Sequence, residues 1–495
     1  MKKKTWIIAI ISIFVVAGGA SAFFLLDKTP KEQYFYSEIK TIQHIQELVE
    51  TRYEDESEWA SIGRTKATDS TYELSGEYEG NTDPQIEHML NNSNISLRIA
   101  ADPNEREVET EINATVLGVD VDPIKAYITT EEVIVGLPFY DQLIQLKDKD
   151  FGKFMTTLDP SYEGSETLGL DSFLGDKGLY TEENLEYLKD EYAMYIYESI
   201  PEDAFTVTDE TVDVNGKSIK AEKVAMTLTE AEVQKILKDV LQKAKEDPKF
   251  EEIAKESTES FIDQLNLASS TVEPVDYGEM MDELIKSVDD INLPSGINST
   301  IWHDSNLIVK RDFNVETPDA GIFAIAGTQS LEETAQNWEY SVGVDNETLN
   351  ITGNLSATKD GIYTDEVSIL DTNNVGLVYN AEEKLAGEER TFERTFMMEN
   401  ENQPMEFLWN GKSNFKKDTM QADHEFVITI DESSNAVIKI GQESKIIKKV
   451  NLPADSEKMV NIGTMDSDSL QQLLTEDIYP EMQSWGMNIM QQFEQ

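Results

Sequence analysis

Beyond Leu293-Pro294-Ser295-Gly296 the chain alternates apolar and polar residues for most of its remaining length. A period of two sends successive side chains to opposite faces of a strand, so this stretch reads as sheet and not as helix. Turn-forming groups at Asp304-Ser305-Asn306, Asp360-Gly361, Asn373-Asn374, Asn410-Gly411 and Ser433-Ser434-Asn435 fall at intervals that suit an antiparallel meander. The same alternation predicts earlier strands over Thr71–Glu79, Ile95–Ala100, Val108–Leu117 and Ile124–Gly136. Phe205–Val214 and Ser218–Leu228 flank Asn215-Gly216, a pair suited to a type I′ hairpin because both central residues need positive φ.

Helical signals lie between these strands. Thr29-Pro30-Lys31-Glu32 reads as an N-cap followed by proline and an acid in the first turn. Phe35, Ile39, Ile42, Val49 and Tyr53 then keep one helix face apolar. Thr181–Ser199, Phe250–Leu265 and Tyr277–Ile291 read as further helices, and Thr229 with Glu232 forms a capping box. The chain closes with Leu470–Ile478 and a helix after Pro480. This order predicts an α+β fold of two antiparallel-sheet units, residues 30–292 and 293–495, each with helices on one face. Val214-Asn215-Gly216-Lys217-Ser218 in the first unit echoes Trp409-Asn410-Gly411-Lys412-Ser413 in the second, as a tandem repeat would.

At the other end, Lys2, Lys3 and Lys4 precede an uncharged run from Trp6 to Leu26. As a helix that run is about 31 Å long, at ~1.5 Å per residue, which matches the hydrocarbon core of a bilayer. The lysines favour a cytoplasmic stub of residues 1–5, a single transmembrane anchor over 6–26 and an extracytoplasmic body. Ala20-Ser21-Ala22 also fits a signal-peptidase site, which leaves cleavage after Ala22 as the alternative.

Composition excludes several classes of function. With 41 Lys and Arg against 96 Asp and Glu, the formal net charge is −55. A surface so acidic repels nucleic acid, so no nucleic-acid partner is expected. The chain has no cysteine, which removes disulfides, thiolate catalysis and zinc–thiolate or iron–sulfur sites.

Catalytic and metal motifs fail on inspection. Gly-Lys-Ser occurs twice, but a phosphate loop needs an earlier glycine where Thr211 and Glu406 stand, and both segments read as hairpins. Thr211–Glu222 has acids and a glycine at calcium-loop spacing, yet its first ligand position is Thr211 and its flanks alternate as strands. The four histidines, His44, His88, His303 and His424, form no His-x-x-x-His pair. Ser37-x-x-Lys40 lacks the companion motifs of the serine acyl-transferases, and no Gly-x-Ser-x-Gly elbow is present. No enzyme activity, cofactor or metal is therefore expected. What remains is soft apolar surface: Tyr192 and Tyr195 on one helix, with Trp485, Met490 and Phe493 on the last, are the candidates for an apolar ligand site or interface.

Ile124–Thr129, Val133–Pro138 and Leu143–Leu146, together with Val212–Leu241, resemble bacterial extracytoplasmic proteins of the lipoprotein-carrier type. That resemblance implies a half-barrel sheet whose helix-covered side holds acyl chains, here as tandem half-barrels. The overall layout is similar to uncharacterised signal-anchored extracytoplasmic proteins of Gram-positive bacteria. The expected function is non-catalytic binding of an apolar ligand, lipid or peptide, next to the cell membrane that the N-terminal helix enters. The alternative is a structural or regulatory cell-surface protein that acts through protein partners.

Overall fold

The computed structural model describes residues 29–80, 84–175, 181–265, 276–400, 405–431, 434–454 and 458–493. The expected anchor, Trp6–Leu26, lies outside them. Among the described residues no helix is long and apolar enough to cross a membrane.

Among the described residues twenty strands form one sheet. They are β1 (Thr68–Glu79), β2 (Asn94–Asp102), β3 (Glu107–Val116), β4 (Val119–Ile128), β5 (Glu132–Gly136), β6 (Leu143–Lys147), β7 (Phe205–Val214), β8 (Lys217–Leu228), β9 (Ile297–Asp304) and β10 (Leu307–Thr317). The remainder are β11 (Gly321–Glu332), β12 (Ala335–Val344), β13 (Glu347–Ala357), β14 (Ile362–Asp371), β15 (Gly376–Ala386), β16 (Glu389–Glu399), β17 (Met405–Lys416), β18 (Thr419–Asp431), β19 (Ser434–Ile446) and β20 (Met459–Asn461). Strands β7 to β19 form an unbroken antiparallel run; β19 then pairs with β1, which continues through β2 to β6. The short β20 adds to β6 in parallel.

This corrects the expected fold of two separate sheet units. Glu222–Leu228 of β8 pair with Ile297–His303 of β9, and Thr68–Glu79 of β1 pair with Asn435–Ile446 of β19. Early and late parts of the chain therefore share one hydrogen-bonded ladder. Alternation marks a strand but not its neighbour, because backbone N–H and C=O groups are alike at every residue.

Local signals are met in detail. Asn215 and Gly216 take φ of 51° and 76° between β7 and β8. Helix α1 (Pro30–Arg52) starts from Thr29, whose N–H donates to Glu32 Oε2 at 2.8 Å while Glu32 N–H donates back to Thr29 Oγ1 at 3.2 Å. Helix α2 (Glu54–Thr65) follows at once. Tyr34, Phe35 and Ile39 of α1 pack with Met226 and Leu228 of β8, Ile297 and Ile301 of β9, Phe313 and Val315 of β10, and Val233 and Leu237 of the helix Glu230–Glu246. Each such buried side chain is worth about 1.5–3 kcal/mol, so this core fixes α1 over one end of the sheet.

One expected turn proves to be strand interior. Asn410-Gly411 sits in the middle of β17, where Gly411 pairs with Phe392 on one side and His424 on the other. A Cβ on Gly411 would lie 2.1 Å from Phe392 Cζ. The glycine serves close approach of an aromatic ring, a role that the turn signal of Asn-Gly conceals.

Candidate apolar track on the helix-bearing face

From α1 the chain runs across the strands along one margin of one sheet face. Tyr34 Oη meets Ser299 Oγ of β9 at 2.6 Å, Thr41 Oγ1 accepts from Ile308 N of β10, and His44 Nε2 bonds Leu331 O of β11. Glu38 accepts two bonds from Arg311 at 2.6 and 2.7 Å. Farther on, Arg52 donates to both oxygens of Asp365 on β14 at 2.8 Å and pairs with Glu383 on β15 at 2.9 Å. Arg390 on β16 bonds Glu56 of α2 at 2.6 Å and Glu383 at 2.9 Å, and Arg394 reaches Glu383 at 2.6 Å.

Three guanidinium groups thus surround the Glu383 carboxylate, which is 0% exposed. Burial alone would raise its carboxyl, but Arg52 and Arg394 outweigh burial and hold it below the ordinary 4.5. Arg394 also stacks on Phe392 at 4.0 Å and on Trp409 at 4.6 Å. Burial by desolvation, then the charge of Arg394, lowers His424.

The other margin of the same face is the opposite in kind. Residues two and four places along each strand share a face. On β14, Asp365 lies under the helices and Ile369 is exposed; on β15, Glu383 is covered and Leu377 exposed; on β16, Arg390 is covered and Met398 exposed. The pairing register carries this second lane onward through Met398–Met405, Phe407–Ile428, Phe426–Ile438, Leu74–Ile95, Leu97–Ile112 and Ile112–Ile124. Leu377 is 51% exposed, Met405 62%, Ile95 48% and Ile124 43%. From β13, where Leu349 belongs to the same row, every strand to β4 contributes an apolar side chain.

The reverse face carries mostly polar side chains, beside a second apolar file through Val378–Met397, Leu408–Val427 and Val427–Val437 in which Val437 is buried. Thr352 and Ser368 hydroxyls bond across β13 and β14 at 2.8 Å, Arg98 of β2 bridges Asp69 of β1 and Glu109 of β3, and Lys439 of β19 pairs with Glu77 of β1. On the helix-bearing face the usual order is inverted: charges are buried and large apolar side chains face solvent. Scattered exposed leucines are ordinary, but a continuous row of this length marks a binding surface.

The residues singled out from sequence lie elsewhere. Tyr192 is buried, donates to Asp247 Oδ2 at 2.7 Å and packs on Phe250 with ring centroids 5.1 Å apart. Tyr195 lies beside it, and Lys243 Nζ stands 5.2 and 5.5 Å from the two ring centroids. Trp485 packs on Phe139 at 5.5 Å, whereas Met490 is 65% exposed on the helix Tyr479–Phe493. The side chain of Phe493 lies outside those described. None of Tyr192, Tyr195, Trp485 and Met490 belongs to the apolar row. The row's own residues were all present in the alternating pattern, but alternation cannot say which apolar face stays open. Among the described residues no cluster of His, Asp and Glu is arranged to hold a metal ion.

No family model and no curated protein matches the chain. Among solved structures it is similar to Wzi, a carbohydrate-binding β-barrel of the outer membrane involved in Group 1 capsule assembly in Escherichia coli, with TM-score 0.27 and 8% identity over 88% of this chain and 97% of that one. It is also similar to a bacterial polysaccharide outer membrane secretin, at TM-score 0.21 and 5% identity over 78% and 99% of the two chains. A loop-deletion mutant of OmpT, an outer membrane protein of Vibrio cholerae, follows at TM-score 0.13 and 10% identity over 76% and 98%. At these scores the likeness contributes nothing to a functional reading, which rests on the residues. The expected address, a single-pass protein of the cell membrane with its body outside, is not upheld: among the described residues no helix is long and apolar enough to span, and the run expected to do so lies outside them.

Proposed function

We propose that this protein binds apolar chains without catalysis, laying them along the open row on the helix-bearing face. The observation that supports this is the inversion of that face, where Asp365, Glu383 and Arg390 are covered while Ile369, Leu377 and Met398 are not. Leaving such a row in water is unfavourable by roughly 25 cal/mol per Å² of apolar area, and an apolar ligand removes that penalty.

The ligand class follows from what the row lacks. A peptide brings amides that need partners, and every strand from β13 to β4 already has neighbours on both sides. A second copy of this chain brings another −55 of charge against the first. A hydrocarbon chain needs neither partner nor counter-charge. The occupant is therefore an acyl chain, held by contact on one side and free to exchange.

Organic extraction of the purified protein followed by mass spectrometry tests this. Acyl-chain lipids are expected in the extract, and Met398→Glu with Met405→Glu should release them. A protein that yields no lipid and takes up no added acyl probe overturns the proposal.

A further inference from the structure

The geometry points to a track that holds acyl chains in series, at least two end to end, with head groups that carry no net negative charge; this rests on the reading above. The open row crosses the strands instead of following one. Taken in space, it passes from β13 through β19 to β1 and on to β4. That path crosses ten gaps between neighbouring strands, or about 48 Å at ~4.8 Å per gap. A C–C bond of ~1.5 Å advances an extended chain by about 1.25 Å per carbon, so about 18 carbons reach only about 21 Å. One such chain fills less than half of the row.

Among the described residues the apolar floor runs on from strand to strand between Ile369 and Ile124, with the helix Pro84–Asn91 lying against β1 beside it. The row narrows at Gly76 of β1, which faces Ile438, but a Cβ there would meet nothing nearer than 3.9 Å. Leu74, 39% exposed, continues the apolar floor beside it. No lysine or arginine side chain stands in the row between Ile369 and Ile124. Between Ile369 and Ile124 a chain is therefore able to slide across strand boundaries without meeting a lysine or arginine.

The hairpin ends that border the row set the head-group class. Asp345 closes β12, Asp371 closes β14 and Glu399 closes β16, and the described residues of these turns include no Lys or Arg. With the chain at −55 overall, an anionic head group is repelled at these turns, and a zwitterionic or cationic one is accepted.

Native mass spectrometry of the full chain, titrated with single-chain phosphocholine lipids of different lengths, tests the inference. Saturation is expected at about two lipids for chains of about 18 carbons and about four for chains of about 10, from the same ~48 Å of sheet. Ile438→Glu places a charge near the middle of the row and should reduce the long-chain count from two to one. Met405→Glu, at a more exposed position, serves the same end if the first variant folds poorly. Fatty acids of matching length, anionic at neutral pH, should bind more weakly than the phosphocholine lipids. One bound lipid at every chain length overturns the track but leaves apolar binding standing. No bound lipid at any length overturns both.

Discussion

Glu383 is the keystone of the contact between α2, the end of α1 and the sheet, and replacing it tests whether those helices are held by charge. Its carboxylate touches Arg52 at 2.9 Å, Arg390 at 2.9 Å and Arg394 at 2.6 Å, all in a site closed to solvent. In Glu383→Leu, Arg52 keeps Asp365 and Arg390 keeps Glu56, but Arg394 loses its acceptor. Breaking a buried pair by removing one partner costs about 3–5 kcal/mol, whereas surface pairs are worth about 0–1 kcal/mol. Since two of the three arginines retain a partner, the lower end, about 3 kcal/mol, is expected. Glu383→Gln keeps shape and an acceptor oxygen, and should lose less. Urea unfolding followed by far-ultraviolet dichroism measures both. The pH profile gives an independent reading. The folded carboxyl lies below its ordinary 4.5, so the unfolded chain takes up the proton first as pH falls. The stabilisation is complete above about pH 4.5, and is lost as pH falls through the depressed folded value. A leucine variant that is as stable as the parent, or one whose acid unfolding is unchanged, refutes the view that charge holds these helices.

Three further outcomes follow from particular contacts. Gly411→Ala drives a methyl group into the Phe392 ring and should destabilise by about 1–3 kcal/mol, which thermal or urea unfolding reads directly. Thr229→Ala removes the cap of the helix Glu230–Glu246 and should cost about 1 kcal/mol, while Thr229→Ser restores most of it. Ile95→Ser and Ile124→Ser on the open row should change stability by less than about 0.5 kcal/mol yet weaken acyl binding in a titration. A large loss of stability in those variants would mean that the row is core and not a binding surface.

The sequence by itself determined where strands and several caps lie. Alternation located the meander, Asn215-Gly216 named its hairpin, and Thr29 and Thr229 named their helix starts, because each depends on residues within a few places along the chain. The same local logic misread Asn410-Gly411, where the glycine answers a ring on the next strand. Which strands join was beyond its reach, since β8 finds β9 and β1 finds β19 through backbone groups that carry no sequence label. The apolar row was legible as one face of an alternating pattern. Only the tertiary structure decided which part of that face is covered. It placed α1 and α2 over the charged margin, where Asp365, Glu383 and Arg390 wait for Arg52 and Glu56, and left the apolar margin open. Burial is a property of what lies above a residue, and no residue carries that in its own name.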